Sequence, residues 1–203
     1  SSTALGQTTL GSAPPVPSLP DGGFVVVDLF SSIGCVSVAA AARGHTVALA
    51  VDLEQWRLDV HRANHPKATH VCMRLGPGSE DEVVRLIDAC VPPEQRHRLW
   101  LHASPPCTCQ SGMRHVGLSR GHDNFAELDA DRSTNHALVR WVIELIRRVD
   151  PPFFSIEEVD DRSTAGTGLN AGLNVRGAME AERSAHPDRF AFDAFQMADF
   201  GVP

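Results

Sequence analysis

Two unbroken apolar runs joined by an alanine-rich stretch restrict this chain more than any other feature. Phe24-Val-Val-Val-Asp-Leu-Phe30 and Val47-Ala-Leu-Ala-Val51 carry one polar residue between them, Asp28. A strand with one wet face alternates apolar and polar side chains. A run without alternation therefore reads as a strand covered on both faces, the condition of a parallel sheet under two layers of helix. Val36 to Arg43 between the runs reads as a helix, with Gly44 as its C-cap. The first strand is followed by a small-residue turn, Ser31-Ser-Ile-Gly34, and the second ends at Asp52. The fold class this predicts is α/β, a Rossmann-like, mostly parallel sheet with helices on both faces.

A βαβ unit of this kind suits an adenosine-containing cofactor: the small-residue loop admits it to the backbone, and the acid accepts from ribose hydroxyls. The loop lacks a full glycine fingerprint, so an ordinary structural βαβ unit satisfies the same pattern.

Further on, Gln55 to Asn64 predicts a helix with Trp56, Val60 and Ala63 on one face, and Glu80 to Cys90 another with Val83, Val84, Ile87 and Cys90 inward. Thr134 to Val149 predicts an amphipathic helix with Leu138, Trp141, Val142, Leu145 and Val149 on one side. Phe153 to Ile156 predicts a strand, Val175 to Ala185 a helix, and Arg189 to Phe195 a last strand. Residues 1–23 are rich in Ser, Thr, Pro and Gly and read as a flexible leader, leaving 24–203 as one domain. The polar stretch Gly112 to Asp131 has no period and reads as a functional lid.

Leu99-Trp-Leu101 is a further buried strand, and Ser104-Pro-Pro-Cys107 stops it, because two prolines fix φ and remove two backbone donors. This leaves Cys107 on a rigid turn at the carboxyl edge of the sheet, where open α/β sheets bind ligands. A nucleophile requires such a position; a core cysteine beside a proline turn would also fit it. Cys107-Thr-Cys109 with His102, His115 and His122 lacks a second paired element, so no metal site is expected. Arg114, His115, Arg120 and His122 suit either phosphate contacts or a solvated loop.

Composition narrows the class. The five cysteines are odd in number and scattered with no secretory signal ahead of them, which points to an intracellular, reducing compartment, cytoplasm or nucleus. No apolar run approaches the roughly 20 residues of a membrane span, so no membrane partner is expected. The net charge of −7 argues against a self-sufficient nucleic-acid binder, so any such surface must be local or supplied by another segment.

Five blocks in order, Asp28-Leu-Phe-Ser-Ser-Ile-Gly34, Asp52, Ser104-Pro-Pro-Cys107, Ile156-Glu-Glu-Val159 and Ala198-Asp-Phe-Gly-Val-Pro203, resemble the cytosine carbon-5 DNA methyltransferases. The resemblance covers about Val25 to Pro203 and implies the S-adenosylmethionine-dependent form of the Rossmann-like fold. It implies S-adenosylmethionine as cofactor, held by Asp28, Phe30, Ser31, Ser32, Ile33, Gly34, Asp52, Leu53 and Pro105. DNA is the implied partner, with the target cytosine flipped out of the duplex. Cys107 is the implied nucleophile and Glu157 the implied acid. Ser104, Pro106, Gln110, Ser111 and Glu158 are implied to shape the turn and the substrate pocket.

The departures are also specific. Ser32 and Cys35 stand where the family usually has glycine, and Glu158 where it has asparagine. The aspartate expected near the adenine is not evident around His70 to Leu75. The family continues past Asp-Tyr-Gly-Val-Pro into a target-recognition domain, so a downstream segment or a second chain is expected to supply recognition. Two alternatives remain open at the level of sequence: a non-catalytic, methyltransferase-like regulatory subunit, and a methyltransferase acting on RNA cytosine.

Overall fold

A computed structural model of the chain describes residues 20–106, 125–158 and 175–191, with side chains from residue 137 in the helix 125–149 and from residue 177 in the helix 175–185. The elements run β1 (Val25–Leu29), α1 (Cys35–Ala42), β2 (Thr46–Asp52), α2 (Gln55–Asn64), β3 (Thr69–Cys72), α3 (Glu80–Cys90), a 3-10 turn (Pro93–Arg98), β4 (Leu99–Ala103), α4 (Phe125–Val149), β5 (Phe153–Ile156) and α5 (Val175–Ala185). The strands form one sheet in the order β3-β2-β1-β4-β5, and every neighbouring pair is parallel.

That order makes the fold a doubly wound, Rossmann-like α/β domain. The chain steps from β1 outward to β3, then returns to β4 beside β1 and continues to β5. Right-handed crossovers place α1 and α2 on one face and α3 and α4 on the other. Burial follows this division. Val25, Val27, Leu29, Leu99 and Leu101 bury against Val83 and Ile87 of α3 and Trp141, Val142, Leu145 and Ile146 of α4. Val26, Ala50, Ala40 of α1 and Leu58 of α2 fill the opposite side. The expected inward faces of α3 and α4 are the ones observed. Val139 and Ile143 form a second small cluster with Ala178 and Met179 of α5.

Helix α1 ends as its glycine predicts. Gly44 has φ +82, its N–H reaches the carbonyl of Ala41, and the next N–H, of His45, reaches that of Ala40.

Four expectations are corrected. In α2 the buried residues are Leu58 and His61, while Trp56 and Val60 are 58% and 41% exposed and Ala63 is also exposed. Hydrogen bonds of His61, described below, turn that stripe toward the sheet and leave the apolar one outside. The polar stretch ending at Asp131 is not wholly a loop, since α4 begins at Phe125. Residues such as Ala126, Glu127 and Leu128 favour helix even where no apolar stripe is visible. The strand expected from Arg189 is absent across residues 189–191: Arg189 closes a turn onto His186, and Phe190 buries beside Phe154. The first strand stops at Leu29, because Phe30 turns out of it with φ +58. Ser163 to Asn174 and residues 192–195 lie outside the described residues.

Candidate active site

Parallel strands in register bring their carboxyl ends to one edge, and the crevice of a doubly wound sheet opens where the chain leaves neighbouring strands in opposite directions. Here that point lies between β1 and β4. The edge is stitched by backbone bonds that continue past the strands: Ser31 N–H to Val51 O at 3.0 Å, Ser104 N–H to Leu29 O at 3.2 Å and Glu157 N–H to Ala103 O at 3.0 Å. The blocks singled out in the sequence, Asp28 to Gly34, Asp52, Ser104 to Pro106 and Glu157, therefore share one edge of one sheet.

The loop after β1 is held in a strained form. Phe30, Ser32 and Gly34 all have positive φ, at 58°, 49° and 94°. A non-glycine residue in that region costs on the order of 1–3 kcal/mol and persists where its surroundings determine it. Ser32 is held by its N–H, which donates to Asp52 Oδ2 at 2.9 Å. Phe30 packs edge-on against Trp141, with ring centroids 6.1 Å apart. At Gly34 any Cβ would lie 2.6 Å from His61 Cδ2, so only glycine fits. Cys35, by contrast, is an exposed first helical residue where glycine is not required. Ile33 and Leu53 are exposed on the same edge.

Beneath the loop lies a buried polar chain that the sequence reading missed. Ser37 of α1 donates to Asp28 Oδ2 at 2.6 Å. His61 Nε2 lies 3.0 Å from Ser37 Oγ, and His61 Nδ1 lies 2.9 Å from His70 Nε2 on β3. Desolvation pushes the Asp28 carboxyl up to about 7, the Ser37 bond opposing it and the charge on Asp52 adding to it. Desolvation, with His70 and His65 nearby, pulls His61 down to about 4. With Asp28 ionised, every donor in the chain points inward, from His70 to His61 to Ser37 to the carboxylate. With Asp28 protonated, every bond reverses and each atom is again satisfied. The signal in the sequence was the i, i+3 pair Leu58 and His61, one apolar and one polar residue on a single stripe.

On the β4–β5 side, Ser104 donates from Oγ to Glu157 Oε2 at 2.6 Å. Glu157 is exposed and Pro105 buried. The preceding residues are fixed as well: Ser155 Oγ receives Trp100 Nε1 at 2.9 Å and pairs with His102 Nδ1 at 2.8 Å. His102 is buried and desolvation lowers it, Glu157 opposing. Cys107, Gln110 and Ser111 lie outside the described residues, as does the Gly112–Asn124 part of the expected lid. Pro106 and Glu158 are described, exposed and half-buried, at the ends of the β4 and β5 segments. No group of three metal-binding side chains occurs among the described residues.

The loop fits an adenosine-type cofactor in one respect that does not depend on resemblance. Ser31 is buried, and its hydroxyl has no hydrogen-bond partner among the described residues. A buried, unpaired hydroxyl beside a strained loop is a polar group awaiting a ligand atom.

No family model and no curated protein matches the chain. Solved structures do. A protein described as a DNA modification methyltransferase encoded within an Escherichia coli prophage is 22% identical, with a TM-score of 0.48 over 76% of this chain and 36% of its own. A mutant of Spodoptera frugiperda DNMT2 is 17% identical, with a TM-score of 0.46 over 79% of this chain and 42% of its own. The chain thus spans well under half the length of each of these two neighbours. No helix among the described residues is long and apolar enough to cross a membrane.

Proposed function

We propose that residues 24–203 form the catalytic domain of a DNA (cytosine-5) methyltransferase. The observation that carries this reading is the hydrogen bond between Ser104 and Glu157. It joins the turn leading directly into Cys107 to Glu157, the carboxylate just past β5 whose position matches the acid of the resemblance. It does so on the same edge as the loop proposed for the cofactor.

The chemistry explains why both groups are needed. Carbon 5 of cytosine is a poor nucleophile. Addition of the Cys107 thiolate at carbon 6 breaks the 5,6 double bond and moves an electron pair toward ring nitrogen 3. Glu157 supplies a proton or hydrogen bond to that nitrogen, leaving carbon 5 electron-rich. S-adenosylmethionine, when bound, supplies the methyl group that carbon 5 takes. Loss of the carbon 5 proton then expels the cysteine and restores the ring. Ser104 occupies Oε2 of Glu157 as a donor, so the proton given to the base belongs on Oε1. Phe30, Ser31, Ser32, Ile33, Gly34, Asp52, Leu53 and Pro105 form the cofactor side of the crevice, with Asp28 buried beneath the loop. Gln110, Ser111, Pro106 and Glu158 shape the base side. The target base must leave the duplex to reach either group. Sequence recognition belongs to a further segment or chain, since a net charge of −7 offers little attraction for phosphates.

Methyl transfer tests this directly. The full-length protein, given tritiated S-adenosylmethionine and duplex DNA, is expected to yield 5-methylcytosine on nucleoside analysis. Label in RNA alone would move the substrate class, and cofactor binding without transfer to either would favour a regulatory subunit.

A further inference from the structure

Asp28 of β1 and His70 of β3 stand on one rung of the sheet, with Ala50 of β2 in register between them. Alanine is too short to join them, so the connection runs above the sheet, through α1 and α2. Asp28 Oδ2 lies 2.6 Å from Ser37 Oγ, Ser37 Oγ 3.0 Å from His61 Nε2, and His61 Nδ1 2.9 Å from His70 Nε2. Each link has hydrogen-bond length, and each of the four groups can give a proton on one side and take one on the other. Asp28, Ser37 and His61 are sealed from solvent, whereas His70, half-buried on the edge strand, reaches the surface. The inner end of the chain lies beneath the loop after β1, where Gly34 stands against the His61 ring.

The surroundings decide where a proton rests on this chain. Desolvation pulls His61 down to about 4, with His70 and His65 adding to it, so His61 is suited to pass a proton and unsuited to keep a second one. His70 is lowered as well, by desolvation with Arg62 and His65, the Ala68 backbone opposing. Asp28 moves the other way: desolvation pushes it up to about 7 against the Ser37 bond, and the charge on Asp52 adds to this. Its other neighbours are His61 Nε2 at 4.0 Å and, in register on β4, His102, whose Nδ1 is engaged with Ser155. The proton therefore rests on the carboxyl at the inner end, and the imidazoles of the chain stay neutral.

We infer that this chain is a proton relay and pH sensor, which carries a proton between the edge strand and Asp28 and so sets the charge beneath the loop after β1 without moving the loop. A proton from water binds Nδ1 of His70. The Nε2 proton of His70 passes to His61 Nδ1, the Nε2 proton of His61 to Ser37 Oγ, and the hydroxyl proton of Ser37 to Asp28 Oδ2. One proton enters and one carboxylate is neutralised, while Ser37 and both imidazoles end as neutral as they began. Every heavy atom keeps its place, because each hydrogen bond changes direction and none is lost. Both imidazoles change tautomer in the process, from Nε2–H with the carboxylate ionised to Nδ1–H with it protonated. None of these steps involves the crevice or its proposed cofactor.

The tautomers can be read directly, by long-range nitrogen–proton NMR of the full-length protein carrying isotope-labelled histidine, followed from about pH 6 to about pH 8. His61 and His70 are expected to change together from Nδ1–H to Nε2–H as pH rises. Their common midpoint should lie at about 7 and match the shift of the Asp28 carboxyl carbon. In Asp28→Asn both histidines should hold one tautomer through the whole range, because the group that stores the proton is gone. In Ser37→Ala the Asp28 carboxyl should no longer titrate in step with the histidines, because the link between them is cut. One fixed tautomer at each histidine of wild type would make the chain a static brace and overturn the inference. So would a tautomer change that persists in Asp28→Asn, or a doubly protonated His61 within that range. Should Asp28→Asn fail to fold by circular dichroism, wild type and Ser37→Ala decide between them.

Discussion

The two faces of this sheet are made from the same strands by different physics. Toward α3 and α4 the side chains are apolar throughout, from Val25, Val27 and Leu29 across to Leu99 and Leu101. Toward α1 and α2 the apolar filling is interrupted by Asp28, Ser37, His61 and His102, all buried. An apolar layer fixes volume and little else, since its contacts are non-directional. A hydrogen-bonded chain fixes direction, at the cost of failing when one member is lost. The loop of the candidate site grows from the polar face: Asp28 lies two residues before Phe30, and Gly34 rests on the His61 ring. The site is attached to the part of the molecule whose geometry is most exactingly specified.

Breaking the apolar layer should cost most. Leu145→Ala removes a fully buried side chain from the centre of that layer and is expected to cost about 2–5 kcal/mol, with no change in the pH dependence of stability. Denaturant unfolding at several pH values measures both. Ser37→Ala should cost less, about 1–3 kcal/mol, since it removes the one hydroxyl that bridges Asp28 and His61. The same variant should weaken cofactor binding in titration, whereas Leu145→Ala at matched stability should not.

The sharpest comparison is in pH. The Asp28 carboxyl, raised to about 7, takes up a proton in the folded state that the unfolded chain lacks above the ordinary carboxyl value of 3.8. That contribution is present at low pH and is lost as pH rises through 7. His61, lowered to about 4 from 6.5, refuses a proton that the unfolded chain binds, so its contribution is lost as pH falls from 6.5 toward 4. Between about pH 4 and 6.5 the two slopes oppose, because both states then hold one proton on this pair. Asp28→Asn should expose the histidine slope, with stability falling as the solution is acidified across that window. His61→Asn should expose the opposite slope, with stability falling as pH rises from 4 toward 7. Thermal melts at half-unit pH steps test both signs; equal slopes in the two variants would refute the coupling. The smallest effect belongs to the outer surface: Trp56→Ser and Val60→Ser are expected to change stability by less than about 0.5 kcal/mol, since both side chains are largely exposed.

Much of the apolar face was legible in the sequence, because burial on both sides leaves an unbroken hydrophobic run and amphipathic helices carry their own period. The Val83–Ile87 and Leu138–Leu145 stripes were read correctly for that reason. The polar face was not. Trp56 and Val60 gave α2 an apolar stripe that pointed to the wrong side, because periodicity weighs hydrophobicity and is blind to a histidine whose nitrogens are both engaged. The edge strand Thr69–Cys72 is short and half-exposed, and carries no run to read. At the site, the order of the blocks identified the edge, but the backbone N–H groups of Ser32 and Glu54 that engage Asp52 are encoded by no side-chain pattern.

Covalent trapping tests most directly whether Cys107 bonds to cytosine with Glu157 assisting. Fluorine at carbon 5 blocks the final elimination, so the full-length protein with S-adenosylmethionine and a 5-fluorocytosine duplex should give an adduct that survives a denaturing gel. Cys107→Ala should abolish it, Cys109→Ala should leave it, and Glu157→Gln should slow its formation, since the acid assists addition without making the bond. An adduct that survives Cys107→Ala and disappears with Cys109→Ala would contradict the assignment.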